Sequence, residues 1–167
     1  PFDRIHISVD PRIDRTLELA ALSWSEPVLE QFSKGEKPVL IAGSVWPPDV
    51  DRLLAAWPII GKYYRLVLAP HELEEVQLAS WAKAFGAQRY THLTSAAELN
   101  TEVLILDTIG LLSRSYRYGQ LAYIGGGFGK SIHNTLEPMA YGLPVLFGPK
   151  IHKFPEALTM VENGGAF

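Results

Sequence analysis

Residues Leu121–Pro149 read LAYIGGGFGKSIHNTLEPMAYGLPVLFGP, and the succession of residue types along them decides the fold. Leu121 to Ile124 is an apolar strand, Gly125, Gly126, Gly127 and Gly129 form a glycine-rich turn, Asn134 to Tyr141 reads as a short helix, and Pro144 to Phe147 is a second buried strand. Together they make one β-turn-α-β unit. Asn134 stands where an N-cap belongs, with Glu137 three residues on as in a capping box, and Gly142 and Pro144 stop the helix. A helix that starts just after four glycines offers unpaired N–H groups and a positive dipole end to the turn, and the glycines let an anion approach the backbone. A phosphate is the expected guest.

Two familiar phosphate motifs do not fit. A P-loop needs four residues between its first glycine and Gly-Lys-Ser, whereas Gly125 to Gly129 leaves three and Ile124 occupies the place of the first glycine. The dinucleotide fingerprint G-x-G-x-x-G counted from Gly125 needs glycine where Lys130 stands, and the turn lies late in the chain instead of after the first strand. A dehydrogenase is therefore not expected.

Working outward, Val39 to Ala42, Leu66 to Ala69 and Val103 to Leu106 are further continuous apolar runs, with Arg89 to Thr91 a possible short strand. Between them lie helical patterns over Asp49 to Trp57, opened by Pro47-Pro48, over Glu72 to Phe85, closed by Gly86, and over Ile109 to Tyr118. Trp57, Trp81 and Phe85 recur at helical spacing and read as core. Residues 1–38 alternate at Ile5, Ile7 and Val9, continue as a helix from Ile13 to Leu22, and become a loop-rich, partly linker-like passage punctuated by Pro27, Gly35 and Pro38. Apolar strands alternating with helices imply an α/β fold, a Rossmann-like, mainly parallel sheet with helices on both faces. In such sheets ligands bind beyond the carboxyl ends of the strands. Each candidate site residue named below follows a strand.

Composition bounds the partners. A chain of 167 residues, 47% hydrophobic, suits a single core, so residues 1–167 are read as one domain. A formal charge of −3 without any Lys/Arg cluster argues against a nucleic-acid partner. No cysteine is present for disulfides or thiolate metal sites, and His6, His92 and His152 show no metal spacing. No apolar run reaches the length of a membrane span, so the sequence as given is expected to form a soluble domain. It also reads as a piece of a longer protein, opening without Met at Pro1-Phe2-Asp3 and stopping at Gly164 to Phe167, where a further strand is expected to begin.

The organising stretch resembles the nucleotide-sugar half of a GT-B glycosyltransferase, and more narrowly the 3-deoxy-D-manno-octulosonic acid (Kdo) transferases of lipopolysaccharide assembly. The residues that carry the resemblance are Gly125-Gly126, His133-Asn134-Thr135-Leu136-Glu137-Pro138, Gly142-Leu143-Pro144-Val145 and Gly148-Pro149. Asp10 to Arg15, Ile41 to Ser44 and Asp107 to Gly110 also look like that family. The resemblance implies the C-terminal, donor-binding domain of an enzyme that moves Kdo from CMP-Kdo to a lipid A precursor at the cytoplasmic face of the bacterial inner membrane. It needs no cofactor besides the donor substrate. The N-terminal domain of the family holds the membrane anchor, the acceptor site and the catalytic carboxylate, so no catalytic residue and no metal is assigned in this chain. A GT-B enzyme using a UDP-sugar and a nucleotide-binding module without catalysis remain the alternatives.

The resemblance also implies roles for particular residues. Glu137 would take the ribose hydroxyls, since a carboxylate accepts from two neighbouring O–H groups; otherwise it completes the capping box. Gly126, Gly127, Lys130, His133 and Asn134 would surround the phosphate. The exposed backbone of Ile109, Gly110 and Leu111 would read the edge of the base, and cytosine presents both donor and acceptor; on the plainer reading Asp107 or Thr108 is a helix N-cap. Ser44 either binds a ligand oxygen or caps the next helix. His71 would lie near the phosphate, but this chain has Pro70-His71-Glu72 where related enzymes typically have Pro-Arg-His, so one cation is missing.

Overall fold

The computed structural model describes residues 11–167. The alternating pattern at Ile5, Ile7 and Val9, and Asp10 with it, lie outside the described residues. The elements in chain order are α1 (Pro11–Ala21), α2 (Pro27–Ser33), β1 (Val39–Val45), α3 (Pro47–Ile60), β2 (Arg65–Pro70), α4 (Glu75–Phe85), β3 (Gln88–Arg89), β4 (Val103–Ile105), α5 (Leu112–Ser115), β5 (Leu121–Ile124), α6 (Leu136–Ala140), β6 (Val145–Phe147) and α7 (Pro155–Glu162). Six strands form one sheet in the order β3-β4-β2-β1-β5-β6, with every pairing parallel. Ala166 adds an isolated parallel bridge to Val145 beyond the β6 edge.

Parallel strands with both faces covered must be apolar throughout, and the side-chain alternation shows where each residue goes. Leu40, Ala42, Leu66, Leu68, Val103 and Ile105 face α3 and α4, packing on Val50, Leu53, Leu78, Trp81 and Phe85. Val39, Ile41, Val67 and Leu104 face the other way, onto Val28, Leu29 and Phe32 of α2, Tyr116, and Ala157 and Met160 of α7. Each of these large aliphatic side chains contributes about 1.5–3 kcal/mol when fully buried. The result is the Rossmann-like α/β architecture expected from the alternation of elements. No helix among the described residues is long and apolar enough to cross a membrane.

The passage after α1 is a correction. Pro27 does not break a helix but starts one: it sits in the first turn of α2, where its missing N–H is not needed, and Glu26 caps the helix by accepting the Leu29 N–H at 2.7 Å. The expected helix Ile109 to Tyr118 is shorter than its pattern, with α5 confined to four residues and a single 3-10 turn over Tyr116–Tyr118 after it. Helix α3 instead continues past Trp57, through Pro58 to Ile60.

Strand β1 is the centre of the sheet, with β2 on one side and β5 on the other. Because the chain leaves β1 in one direction and returns on its opposite side, the carboxyl ends of β1 and β5 border a crevice, where open α/β sheets take ligands.

Candidate functional site

Two loops meet at this crevice, and one buried carboxylate ties them to each other and to β5. Asp49, in the first turn of α3, is 0% exposed. Its Oδ1 accepts the Tyr123 hydroxyl at 2.6 Å, and its Oδ2 accepts the backbone N–H of Trp46 and of Gly126, both at 2.9 Å. A buried carboxylate is costly unless its lone pairs are filled, and here three donors from β5, the loop after β1 and the glycine turn fill them. The consequence for the glycine turn is specific. The N–H of Gly126 is spent on Asp49, that of Gly125 on the Gly43 carbonyl at 2.9 Å, and Gly127 lies against the backbone of Gly148. The first glycines thus serve backbone-on-backbone packing.

Above this floor three rings stack. Trp46 lies 4.3 Å from His71 and His71 4.3 Å from His133, ring centre to ring centre, at interplanar angles of 26° and 24°. The Trp46 indole N–H donates to His133 Nε2 at 2.8 Å. Burial, and next the neighbouring His71, push the His133 imidazole below the ordinary histidine value. A neutral ring whose Nε2 accepts carries its proton on Nδ1, so His133 offers one N–H without a charge.

The capping box expected at α6 is not formed. The N-cap position falls on Thr135, whose hydroxyl is buried without a hydrogen-bond partner among the described residues. Asn134, one residue earlier, accepts the Leu136 N–H at 3.0 Å and donates from its amide to Glu137 Oε1 at 3.4 Å. Glu137 therefore does not reach back to the helix start. Burial raises its carboxyl, opposed by the Asn134 contact. With only five residues, α6 has a small dipole.

Six of the candidate residues converge: Ser44, His71, Gly110, His133, Asn134 and Glu137 line one cleft of about 310 Å³, with Leu112, Ser113 and Tyr116. Ser44 does not cap α3, whose N-cap is Trp46; it is the next-to-last residue of β1, at φ +53, where the register with β2 shifts, and its hydroxyl makes no hydrogen bond among the described residues. Ile109 is 88% exposed and Leu111 half-buried, flanking Gly110 at the rim. Gly126 and Gly127 are buried beneath the cleft, and Lys130 is exposed on the loop before His133. Asp107 is not an N-cap: it accepts Arg89 Nε at 2.7 Å and the Thr91 N–H at 2.9 Å, fixing the β3 edge. Among the described residues no three His, Asp or Glu side chains gather as metal ligands.

No protein-family model matches the chain. The 3-deoxy-D-manno-octulosonic acid transferase of Aquifex aeolicus (strain VF5) is 34% identical over 139 residues, 80% of this chain and 37% of the relative. That of Chlamydia trachomatis serovar A is 29% identical over 164 residues, 90% of this chain and 36% of the relative. The chain is a relative of the Kdo transferases. It spans little more than a third of the length of these two proteins. Among solved structures, the C-terminal CMP-Kdo binding domain of WaaA from Acinetobacter baumannii shares the fold with a TM-score of 0.63 at 21% identity, over 89% of this chain and 77% of that one.

The residues by which the sequence resembles the Kdo transferases reach the cleft from three places: Ser44 from the last residues of β1, Gly110 from the loop after β4, and His133, Asn134 and Glu137 from the segment after β5. At His71 the resemblance is incomplete, and what surrounds that ring is the stack with Trp46 and His133. Sequence reasoning missed Asp49, Trp46, Tyr123 and Tyr116. Asp49 stands three residues after Trp46, a capping-box spacing legible in principle, but its partners Tyr123 and Gly126 lie 74 and 77 residues away.

Proposed function

We propose that this chain is the donor-binding half of a GT-B Kdo transferase, and that its cleft holds CMP-Kdo. The observation that carries the reading is the convergence of Ser44, His71, Gly110, His133, Asn134 and Glu137, from the carboxyl ends of β1, β2, β4 and β5 and the segments after them, onto one cleft. The names of the relatives and the donor named for the Acinetobacter domain support it. In the complete enzyme the reaction would be transfer of Kdo to a lipid A precursor at the cytoplasmic face of the inner membrane.

The residues present suit stabilisation of the leaving nucleotide. As the bond between Kdo and CMP breaks, negative charge grows on the phosphate, and donors already aimed at it lower the barrier because they need not reorganise. His133 Nδ1–H, the Asn134 amide and the Ser44 hydroxyl are such donors, with Lys130 at the rim supplying a charge. Glu137 would hold the ribose and the backbone at Gly110 the base. Activation of the acceptor hydroxyl falls to the other half of the enzyme.

Calorimetric titration with CMP, UMP and UDP tests the reading. CMP is expected to bind weakly, because contacts from the partner domain are missing, and to bind ahead of UMP. Tighter binding of UDP than of CMP would move the assignment to a UDP-sugar enzyme, and no binding of any nucleotide would end it.

A further inference from the structure

Tyr116 belongs both to the core and to the lining of the cleft. The residue is 1% exposed and shares a core cluster with Ile41, Leu104, Ala122 and Ile124, and it lines the cleft together with Ser44 and Glu137. The chain makes room for that hydroxyl: a Cβ added at Gly43 would collide with Tyr116 Oη and come within 3.1 Å of Leu112 Cδ1. Yet Oη makes no hydrogen bond to any described residue. The contrast with Tyr123 is direct, since that phenol is also buried and donates to Asp49 at 2.6 Å. A buried tyrosine hydroxyl ordinarily has a partner, and one left open toward a cleft is available to a ligand.

The chemistry beside it narrows the ligand group. An ionised carboxylate only accepts, so a ligand hydroxyl that gives its proton to Glu137 still has lone pairs needing a donor. A phenol at the same place supplies it. Burial, and next the charge of Glu137, push the Tyr116 hydroxyl well above its ordinary range, so it keeps its proton at every pH of interest. We infer that Tyr116 is a specificity-determining contact of the nucleotide ribose, its Oη–H donating to a ribose hydroxyl whose own proton goes to Glu137, in a space that Gly43 keeps open. This rests on the donor reading of the cleft.

Tyr116→Phe removes only the hydroxyl, which has no partner among the described residues, so the melting temperature should hold. Wild type and variant are titrated with CMP, 2′-deoxy-CMP and 3′-deoxy-CMP. The variant is expected to lose about three- to tenfold in affinity for CMP, the scale of one neutral hydrogen bond, and nothing for the analogue that lacks the contacted hydroxyl. Unchanged CMP affinity, or an equal loss for all three nucleotides, overturns the inference while leaving the donor reading intact. Wild-type protein that fails to bind CMP overturns both. Should the variant unfold, a crystal structure of wild type with CMP decides: Tyr116 Oη more than about 3.2 Å from both O2′ and O3′ overturns the contact.

Discussion

Asp49 Oδ2 and the Gly126 N–H meet at 2.9 Å across 77 residues of sequence, and this bond joins the loop after β1 to the glycine turn after β5. The same oxygen holds the Trp46 amide, so the position of the ring stack depends on it. Asp49→Asn keeps the shape but turns an NH₂ group toward at least one of three donors. The expected cost is about 2–4 kcal/mol of stability, the scale of hydrogen bonds to a charged group with a donor left unpaired. Urea unfolding measures it, and a loss below about 0.5 kcal/mol, the size of a surface substitution, would show that the carboxylate is not the tie between the loops.

Glu137 separates helix capping from ligand binding. No capping box is formed, so Glu137→Gln should leave the helix intact. A carboxyl raised by burial binds its proton more tightly in the folded state; it stabilises the fold below the ordinary carboxylate range and loses that contribution as pH rises through the raised value. At neutral pH the variant should therefore melt at the same temperature as wild type or slightly above, with the gap closing in acid. Its CMP affinity should fall by about 1.5–3 kcal/mol, and the fall should vanish with 2′,3′-dideoxy-CMP. A variant that melts lower and binds CMP unchanged would return Glu137 to a structural role.

The order of strands and helices was legible because a parallel sheet buried on both faces writes continuous apolar runs at β1, β2, β4 and β5, each ended by glycine, proline or a polar residue. Helix α2 was not, because Pro27 and Gly35 read as loop punctuation while the burial of Val28, Leu29 and Phe32 is a tertiary fact. At the cleft, His133 to Glu137 were legible as a contiguous motif. Asp49, Tyr116 and Tyr123 were not: an aspartate in a first turn, a tyrosine between Ser115 and Arg117 in a helical pattern and a tyrosine in the apolar run of β5 look like cap and core until the sheet brings β1 and β5 together.

Gly110 provides a test of base reading that leaves the rest of the cleft alone. Its φ of +91 is a conformation L side chains rarely adopt, while nothing lies within 4 Å of the place a Cβ would occupy. Gly110→Ala therefore acts through the backbone alone, costing at least about 1 kcal/mol if the conformation is kept and otherwise shifting the path of Ile109 to Leu111. The expected result is a smaller preference for CMP over UMP, with little loss of phosphate affinity measured with inorganic phosphate. An unchanged ratio of CMP to UMP affinity in a variant with altered backbone amide shifts would exclude this loop from base recognition.

The His71–His133 stack forecasts a pH dependence with a definite sign. Burial and the facing imidazole lower the His133 value in the fold, so between that value and about 6.5 the unfolded chain holds more protons than the folded one. Stability from this group is complete above about 6.5 and declines as pH falls toward the lowered value. The wild-type protein should lose stability over that window, and His133→Asn, which cannot titrate there, should show a shallower slope. Nitrogen-15 chemical shifts give the same answer site by site: His133 should titrate below the free histidine value with Nδ1 protonated in the neutral form. A phosphate bound beside the ring would reverse part of the shift, since a nearby negative charge favours the imidazolium. Adding CMP should therefore move the His133 titration upward, and calorimetry near pH 6 in buffers of different ionisation enthalpy should detect proton uptake. If the His133 titration does not move when CMP binds, His133 is not next to the phosphate.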